Sequence, residues 1–187
     1  MVRLFLAINL PVGVRREVTA AATPLRECAP ELRWVSEPRL HLTLKFLGEQ
    51  EPDRLDDVQA AAAGVAGRHR EFVMTLGGIG AFPNFRRPRV VWMDVAQDAR
   101  LELLHHDVEV AYESLGFEIE GRAFRPHLTL ARVQAPLADE RRRQLSRAAR
   151  EIDYRTDFVV RSIDLMQSEL SSTPSYTTLV SAALRSD

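Results

Sequence analysis

The tetrapeptide His-Leu-Thr-Leu occurs twice in the chain, at residues 41–44 and 127–130, 86 positions apart. With 5 His, 9 Thr and 23 Leu in 187 residues, chance supplies one such tetrapeptide only roughly 0.004 times. Each copy lies in an alternating run, "RLHLTLKFLG" (39–48) and "RPHLTLARV" (125–133), which reads as a β-strand. Side chains alternate between the faces of a strand, so His and Thr two residues apart point the same way. In the first copy His41, Thr43 and Lys45 share one face and Leu42, Leu44 and Phe46 the other. In the second, His127 and Thr129 face opposite to Leu128 and Leu130. The leucines anchor each strand in a core while an imidazole and a hydroxyl face outward together.

The rest of the chain mixes strands and helices. "RLFLAINL" (3–10) is an apolar strand bounded by Pro11, and residues 12–28 are helical, ended or kinked at Pro24. A short strand falls at 32–35, and the first motif strand stops at Gly48. A helix spans 53–70, and strands 71–82 and 89–96 flank the loop "PNFRRP". A second long helix spans 98–116, closed by Gly116. A helix at 137–152 and strands at 157–170 and 175–184 complete the pattern. Several strand pairs suit hairpins, so the fold class is α+β rather than a parallel α/β sheet. The 187 residues suit one domain, or two small lobes sharing a core, and no linker divides them.

The totals restrict function. The 25 basic and 26 acidic residues give a net charge of −1, which argues against a protein that grips a long nucleic acid by its backbone. A small phosphate-bearing ligand or an RNA end remains compatible. The single Cys28 forbids an intramolecular disulfide and suits a reducing cytoplasm. The apolar run within "MVRLFLAINLPVG" is too short for a signal peptide or a membrane span. A cytoplasmic monomer without membrane contact is the expectation.

Two imidazoles and two hydroxyls around one cleft suit a phosphate diester. Hydrolysis needs a water deprotonated on one side of phosphorus and a leaving oxygen protonated on the other. Histidine titrates near neutrality and serves either role, and threonine hydroxyls can donate to the non-bridging oxygens. Arg132 follows the second motif and could hold the same phosphate through its guanidinium fork, although strict alternation starts it on the opposite face. A zinc site needs three or four ligands; one Cys and no His-x-x-x-His offer none, so neither metal nor cofactor is expected. His105 and His106 read as solvated helix residues, His69 as exposed at a helix end, and "RRR" (141–143) as a solvated helix face. A single His-x-Thr is usually structural; the duplication reverses that reading. This chemistry does not decide which histidine is acid and which is base.

The paired H-x-T-x motifs, with "RLFLAINLP", "LHLTLKFLGE", "RVVWMDV" and "FRPHLTLAR", resemble the 2H phosphoesterase superfamily, and within it the bacterial and archaeal RNA 2′,3′-cyclic phosphodiesterases, also called 2′-5′ RNA ligases. The resemblance runs from residue 3 to about 180. One departure stands near the end, where similar proteins often place Gly-Pro ahead of Tyr-x-x-Leu and this chain has "STPSYTTL".

The resemblance implies a single bilobal α+β domain over 1–187, two antiparallel sheets related by a pseudo-two-fold, helices outside and a central cleft. It implies metal-independent hydrolysis of a 2′,3′-cyclic phosphate at an RNA end to a 2′-phosphate. On it, His41 is the proton donor, His127 the proton acceptor, and Thr43 and Thr129 hold the phosphoryl oxygens, with Arg132 beside them. The reverse reaction, joining a cyclic end to a 5′-hydroxyl, is open to the same pair. Substrate contacts are expected from Phe5, Phe85, Arg125 and Tyr176. Two other readings stand beside this one, a 2H enzyme acting on a small cyclic nucleotide and a nucleotide-binding module without turnover.

Overall fold

The structure, a computed structural model, describes residues 1–169 and 175–186. Strand β1 (Val2–Asn9) leads into helices α1 (Val12–Ala21) and α2 (Thr23–Cys28), the short strand β2 (Arg33–Trp34) and the first motif strand β3 (His41–Gln50). Helix α3 (Leu55–Ala66), strands β4 (Phe72–Phe82) and β5 (Val90–Val95), and helix α4 (Ala99–Glu113) precede the second motif strand, β6 (His127–Arg132). Helix α5 (Asp139–Glu151) and strands β7 (Arg155–Val160), β8 (Ser162–Glu169) and β9 (Ser175–Ala183) follow.

The strands form one curled antiparallel sheet in the order β7-β4-β5-β6-β3-β1-β8-β9, with β2 paired to β6. The two expected antiparallel sheets are its halves, β6-β5-β4-β7 and β3-β1-β8-β9. Each half has a motif strand as its inner member, and the two meet through one register pair, Leu42 with Leu128. Helices α3 and α4 pack on the β3-β1-β8-β9 half, and α2 and α5 pack together near β4. One continuous core lies between helices and sheet, including Leu4, Leu6, Ile8, Leu42, Leu44, Leu128 and Leu130. The other face carries a small cluster of Phe5, Ala7 and Met166, with Tyr176 against it. Strand β1 is thus buried on both sides, which explains its unbroken apolar run.

Several expected boundaries move for physical reasons. The 12–28 helix divides at Ala22, and Pro24 lies in the first turn of α2, where its missing N–H costs nothing. The 53–70 helix begins as a 3-10 turn at Pro52–Arg54 before α3. Strand β3 does not stop at Gly48, whose φ of +69° carries the chain through an irregularity and on to Gln50. The expected strand 157–170 is two strands broken at Arg161: β7 pairs with β4 and β8 with β1, so the chain crosses from one half to the other there. Leu170, at the end of that expected strand, and residues 172–174, which open "STPSYTTL", lie outside the described residues. His69 is buried rather than exposed, with Nε2 2.9 Å from Asp107 Oδ2. No helix among the described residues is long and apolar enough to cross a membrane.

Candidate active site

Both motif strands break their alternation at the same step. In β3 the register with β1 slips between Leu6–Lys45 and Ala7–Thr43, and in β6 the register with β5 slips between Val91–Ala131 and Trp92–Thr129. Each slip is a β-bulge that adds one residue to the motif strand. Leu44 and Lys45 therefore both turn toward the core, as do Leu130 and Ala131, and the next residue returns to the motif face. In the second strand that residue is Arg132, so the bulge brings it to the face of His127 and Thr129 that alternation denied it. In the first strand it is Phe46, which is 69% exposed instead of buried with the leucines.

Lys45 leaves the site for the same reason. Its Nζ lies 2.7 Å from Glu109 Oε2 on α4 and donates to the Glu118 carbonyl at 2.8 Å. Glu109 Oε2 also accepts from the Glu120 backbone N–H at 3.0 Å. The buried pair ties β3 to the segment leading into β6. His105 is half-buried, not solvated, and stacks on Phe124 of that segment at 3.8 Å between ring centroids.

The two histidines are held alike. His41 Nδ1 lies 2.7 Å from the Arg39 carbonyl, and His127 Nδ1 lies 2.8 Å from the Arg125 carbonyl. A carbonyl only accepts, so Nδ1 carries the hydrogen in both rings and Nε2 is left as the exchangeable site. His41 Nε2 is 3.1 Å from the Thr43 hydroxyl. The antiparallel pairing of Leu42 with Leu128 sets His41 beside Thr129 on one side and Thr43 beside His127 on the other. Each histidine is preceded two residues earlier by an arginine whose backbone supplies this carbonyl. The repeat is therefore Arg-x-His-Leu-Thr-Leu, a signal legible in the sequence and assigned no role there.

The surroundings of the two rings differ. His41 packs against Phe5 at 5.0 Å and Tyr176 at 5.4 Å, and the Arg39 guanidinium lies 5.1 Å from the Tyr176 ring. His127 meets Phe82 edge-on at 4.9 Å and Trp92 at 6.4 Å. Burial holds His41 below the ordinary histidine value; the positive charges of Arg39 and Arg132 add to this, and the bond to the Arg39 carbonyl opposes it. Its neutral, proton-accepting form is the resting form near pH 7.

Of the nine expected site residues, His41, Thr43, His127, Thr129, Arg132, Phe5 and Tyr176 gather around the motif face. Arg125 contributes its backbone carbonyl while its side chain is exposed. Phe85 packs against the core from the β4–β5 loop and has no ring contact with either histidine among the described residues. Phe82 and Trp92 take that place, and Phe46 joins Phe5 at 6.3 Å. No cluster of three His, Cys, Asp or Glu side chains suited to a metal occurs among the described residues.

A family profile described as LigT like Phosphoesterase matches residues 8–92 and 94–176. The chain is 33% identical over 183 residues to an RNA 2′,3′-cyclic phosphodiesterase of Geobacillus stearothermophilus, covering 96% of this chain and 56% of that one. A protein of the same name from Methanothermobacter thermautotrophicus is 29% identical over 177 residues, covering 94% and 95% of the two chains. The chain thus spans little more than half of the first relative and nearly all of the second. Among solved structures, TT0787 of Thermus thermophilus superposes with a TM-score of 0.82 at 32% identity, covering 99% of both chains. Escherichia coli LigT complexed with 3′-AMP superposes with a TM-score of 0.74 at 26% identity, covering 98% of both chains.

Proposed function

The chain belongs to the LigT-like phosphoesterase family, and on that premise we propose that it hydrolyses 2′,3′-cyclic phosphate ends of RNA to 2′-phosphates with its two motif histidines as acid and base. The observation that carries this reading is the matched pair of imidazoles. Each is locked through Nδ1 to a carbonyl two residues back, each has Nε2 as its exchangeable site, and each stands on a strand face with a threonine. The names of the relatives support the RNA end as substrate, and the 3′-AMP complex of E. coli LigT supports recognition of a nucleotide.

In this mechanism His127 Nε2 takes a proton from water as the water oxygen attacks phosphorus. The bond from phosphorus to the 3′ oxygen breaks, and His41 Nε2 gives that oxygen its proton, leaving a 2′-phosphate and a 3′-hydroxyl. Thr43 and Thr129 donate to the non-bridging oxygens, and the Arg132 guanidinium balances their charge. His41 must be protonated for this step, and the substrate's phosphodiester anion offsets Arg39 and Arg132 and so favours the imidazolium. With a 5′-hydroxyl in place of water the same transfers form a 2′-5′ linkage. Phe5 and Tyr176 seat His41, Arg125 seats His127 through its carbonyl, and no metal takes part. All these groups come from one chain, so the unit we propose is a monomeric single domain of two similar lobes, working in the cytoplasm.

The test is hydrolysis of a cyclic-phosphate-ended oligonucleotide in excess EDTA by the unaltered protein, His41→Ala and His127→Ala. Turnover to a 2′-phosphate is expected, slowed about 10²–10⁴-fold in each variant. A 3′-phosphate product, or variants within tenfold of the parent, would overturn the assignment. Turnover of free cyclic mononucleotides alone would move the substrate from RNA ends to small nucleotides.

A further inference from the structure

A groove of about 820 Å³ runs between the β4–β5 loop and helix α5, away from the paired histidines. Arg86 and Arg87 line it from the loop, and Arg142, Arg143, Arg147 and Arg150 from the helix. Asp139 is its single acid and is already engaged by Arg142. Six of the chain's 25 basic residues thus face one groove in a protein whose net charge is −1. Among the described residues, no side-chain hydrogen bond or ion pair engages the guanidinium groups of Arg86, Arg87, Arg143 or Arg147. Placing unpaired like charges together is unfavourable unless an anion joins them.

The β4–β5 loop links the groove to the motif face. Phe82, which opens the loop, touches His127. The loop closes through the bond from Arg89 N to the Phe82 carbonyl at 2.8 Å, and Val90 pairs with Arg132. Phe85, which makes no ring contact with either histidine among the described residues, lines the groove instead. On α5 residues 143, 147 and 150 fall on one side of the helix and span about 10 Å along it. The buried positions Leu145 and Ala149 face the other way, so α5 has no apolar surface to insert into a lipid.

We infer that this groove holds the phosphodiester backbone of the RNA chain upstream of the cyclic end, a role that rests on the reading above and extends it. A strand whose terminal phosphate sits between the histidines can leave past Phe82 and Arg132, on the side where the β4–β5 loop carries Arg86 and Arg87 into the groove. Guanidinium forks match phosphate oxygens, and a row of them matches a repeating anion. The groove reads no base, so it sets a preference for chain length, not for sequence.

The test compares kcat/KM for cyclic-ended RNAs of two and of about twenty nucleotides at rising salt, with the ratio of long to short as the readout. Each phosphate contact contributes a slope of about −0.7 in log affinity against log salt for a single strand. Four contacts therefore predict that the long-chain advantage falls about 50-fold between 50 and 200 mM salt. The double variant Arg143→Gln/Arg147→Gln removes two contacts and leaves about a sevenfold fall. The loop pair Arg86→Gln/Arg87→Gln, which leaves α5 intact, has the same effect. Equilibrium binding of a twenty-nucleotide RNA with a plain 3′-hydroxyl should show the same loss of slope, independent of any turnover. A ratio near one, or slopes unchanged in both double variants, overturns the groove assignment while the two-nucleotide activity stands. Binding that keeps its slope without turnover of either substrate sinks the proposed reaction and leaves the groove.

Discussion

Lys45, the chain's only lysine, gives the sharpest test of how the motif strands are held. Its side chain and that of Glu109 are 4% and 8% exposed, with 2.7 Å between Nζ and Oε2. In Lys45→Met the methylene stem is kept and the charge removed. Glu109 then sits buried with the Glu120 N–H as its one close donor and His105 Nε2 3.7 Å from its other oxygen. Stranding a buried carboxylate in this way costs about 3–5 kcal/mol, against a total stability of about 5–15 kcal/mol for a domain. For a chain of this length the fall in Tm is about 6–20 °C. The double variant Lys45→Met/Glu109→Met removes both charges. Residues 118 and 120 are exposed, so water can replace the two backbone bonds that are lost. Its stability should return to within about 2 kcal/mol of the parent. Urea titration of the four proteins, read as a double-mutant cycle, measures the difference. A single variant that loses under about 1 kcal/mol would show that Glu109 is solvated or neutral, contradicting its assigned burial as an ion. A double variant no better than the single would show that the lost bonds, not the stranded charge, carry the cost.

Three further outcomes follow from the site. Because burial holds His41 below 6.5 in the free protein, the basic limb of kcat/KM should lie below pH 6.5 and the limb of kcat higher, where bound phosphate favours the imidazolium; coincident limbs above 6.5 would exclude His41 as the acid. The same shift makes the unfolded chain take up this proton first as pH falls from 6.5, so His41→Asn should flatten the decline in stability over that window. At Gly80 an added Cβ would fall inside the Trp92 indole, so Gly80→Ala should cost about 1–3 kcal/mol and lower kcat by displacing the Trp92 and Phe82 rings from His127. Tryptophan fluorescence and kcat should change together; an unaltered emission spectrum with full activity would sink that account.

What the sequence disclosed was governed by periodicity, and what it hid was governed by register. Alternation alone places His41 with Thr43 and His127 with Thr129, because neither pair spans a bulge. It fails one step later, where an extra residue reverses every following side chain. Lys45 and Phe46 exchange faces, and Arg132 joins the site. The bulge depends on which residues of β1 and β5 lie alongside, and the burial of Lys45 depends on Glu109, 64 positions away. The strand break at Arg161 was hidden similarly, since an apolar run says nothing about which half of a sheet it joins. The arginines of α5 were read as a solvated face because the loop that completes their groove is distant in sequence.

Acid–base catalysis asks something awkward of a duplicated motif. Two copies of Arg-x-His-Leu-Thr-Leu give two histidines with the same Nδ1 bond, the same tautomer and the same threonine neighbour, yet the proposed mechanism asks one to give a proton while the other takes one. The difference therefore has to come from outside the repeat. Around His41 it comes from Phe5 and Tyr176, which remove water, and from two guanidinium groups that disfavour its charge. Around His127 stand Phe82 and Trp92 instead. The bulge adds a second inequality at its returning residue, a phenyl ring in one strand and a guanidinium in the other. On the proposed mechanism the repeat fixes where the two Nε2 atoms stand, and the residues that break the repeat make the two rings unequal.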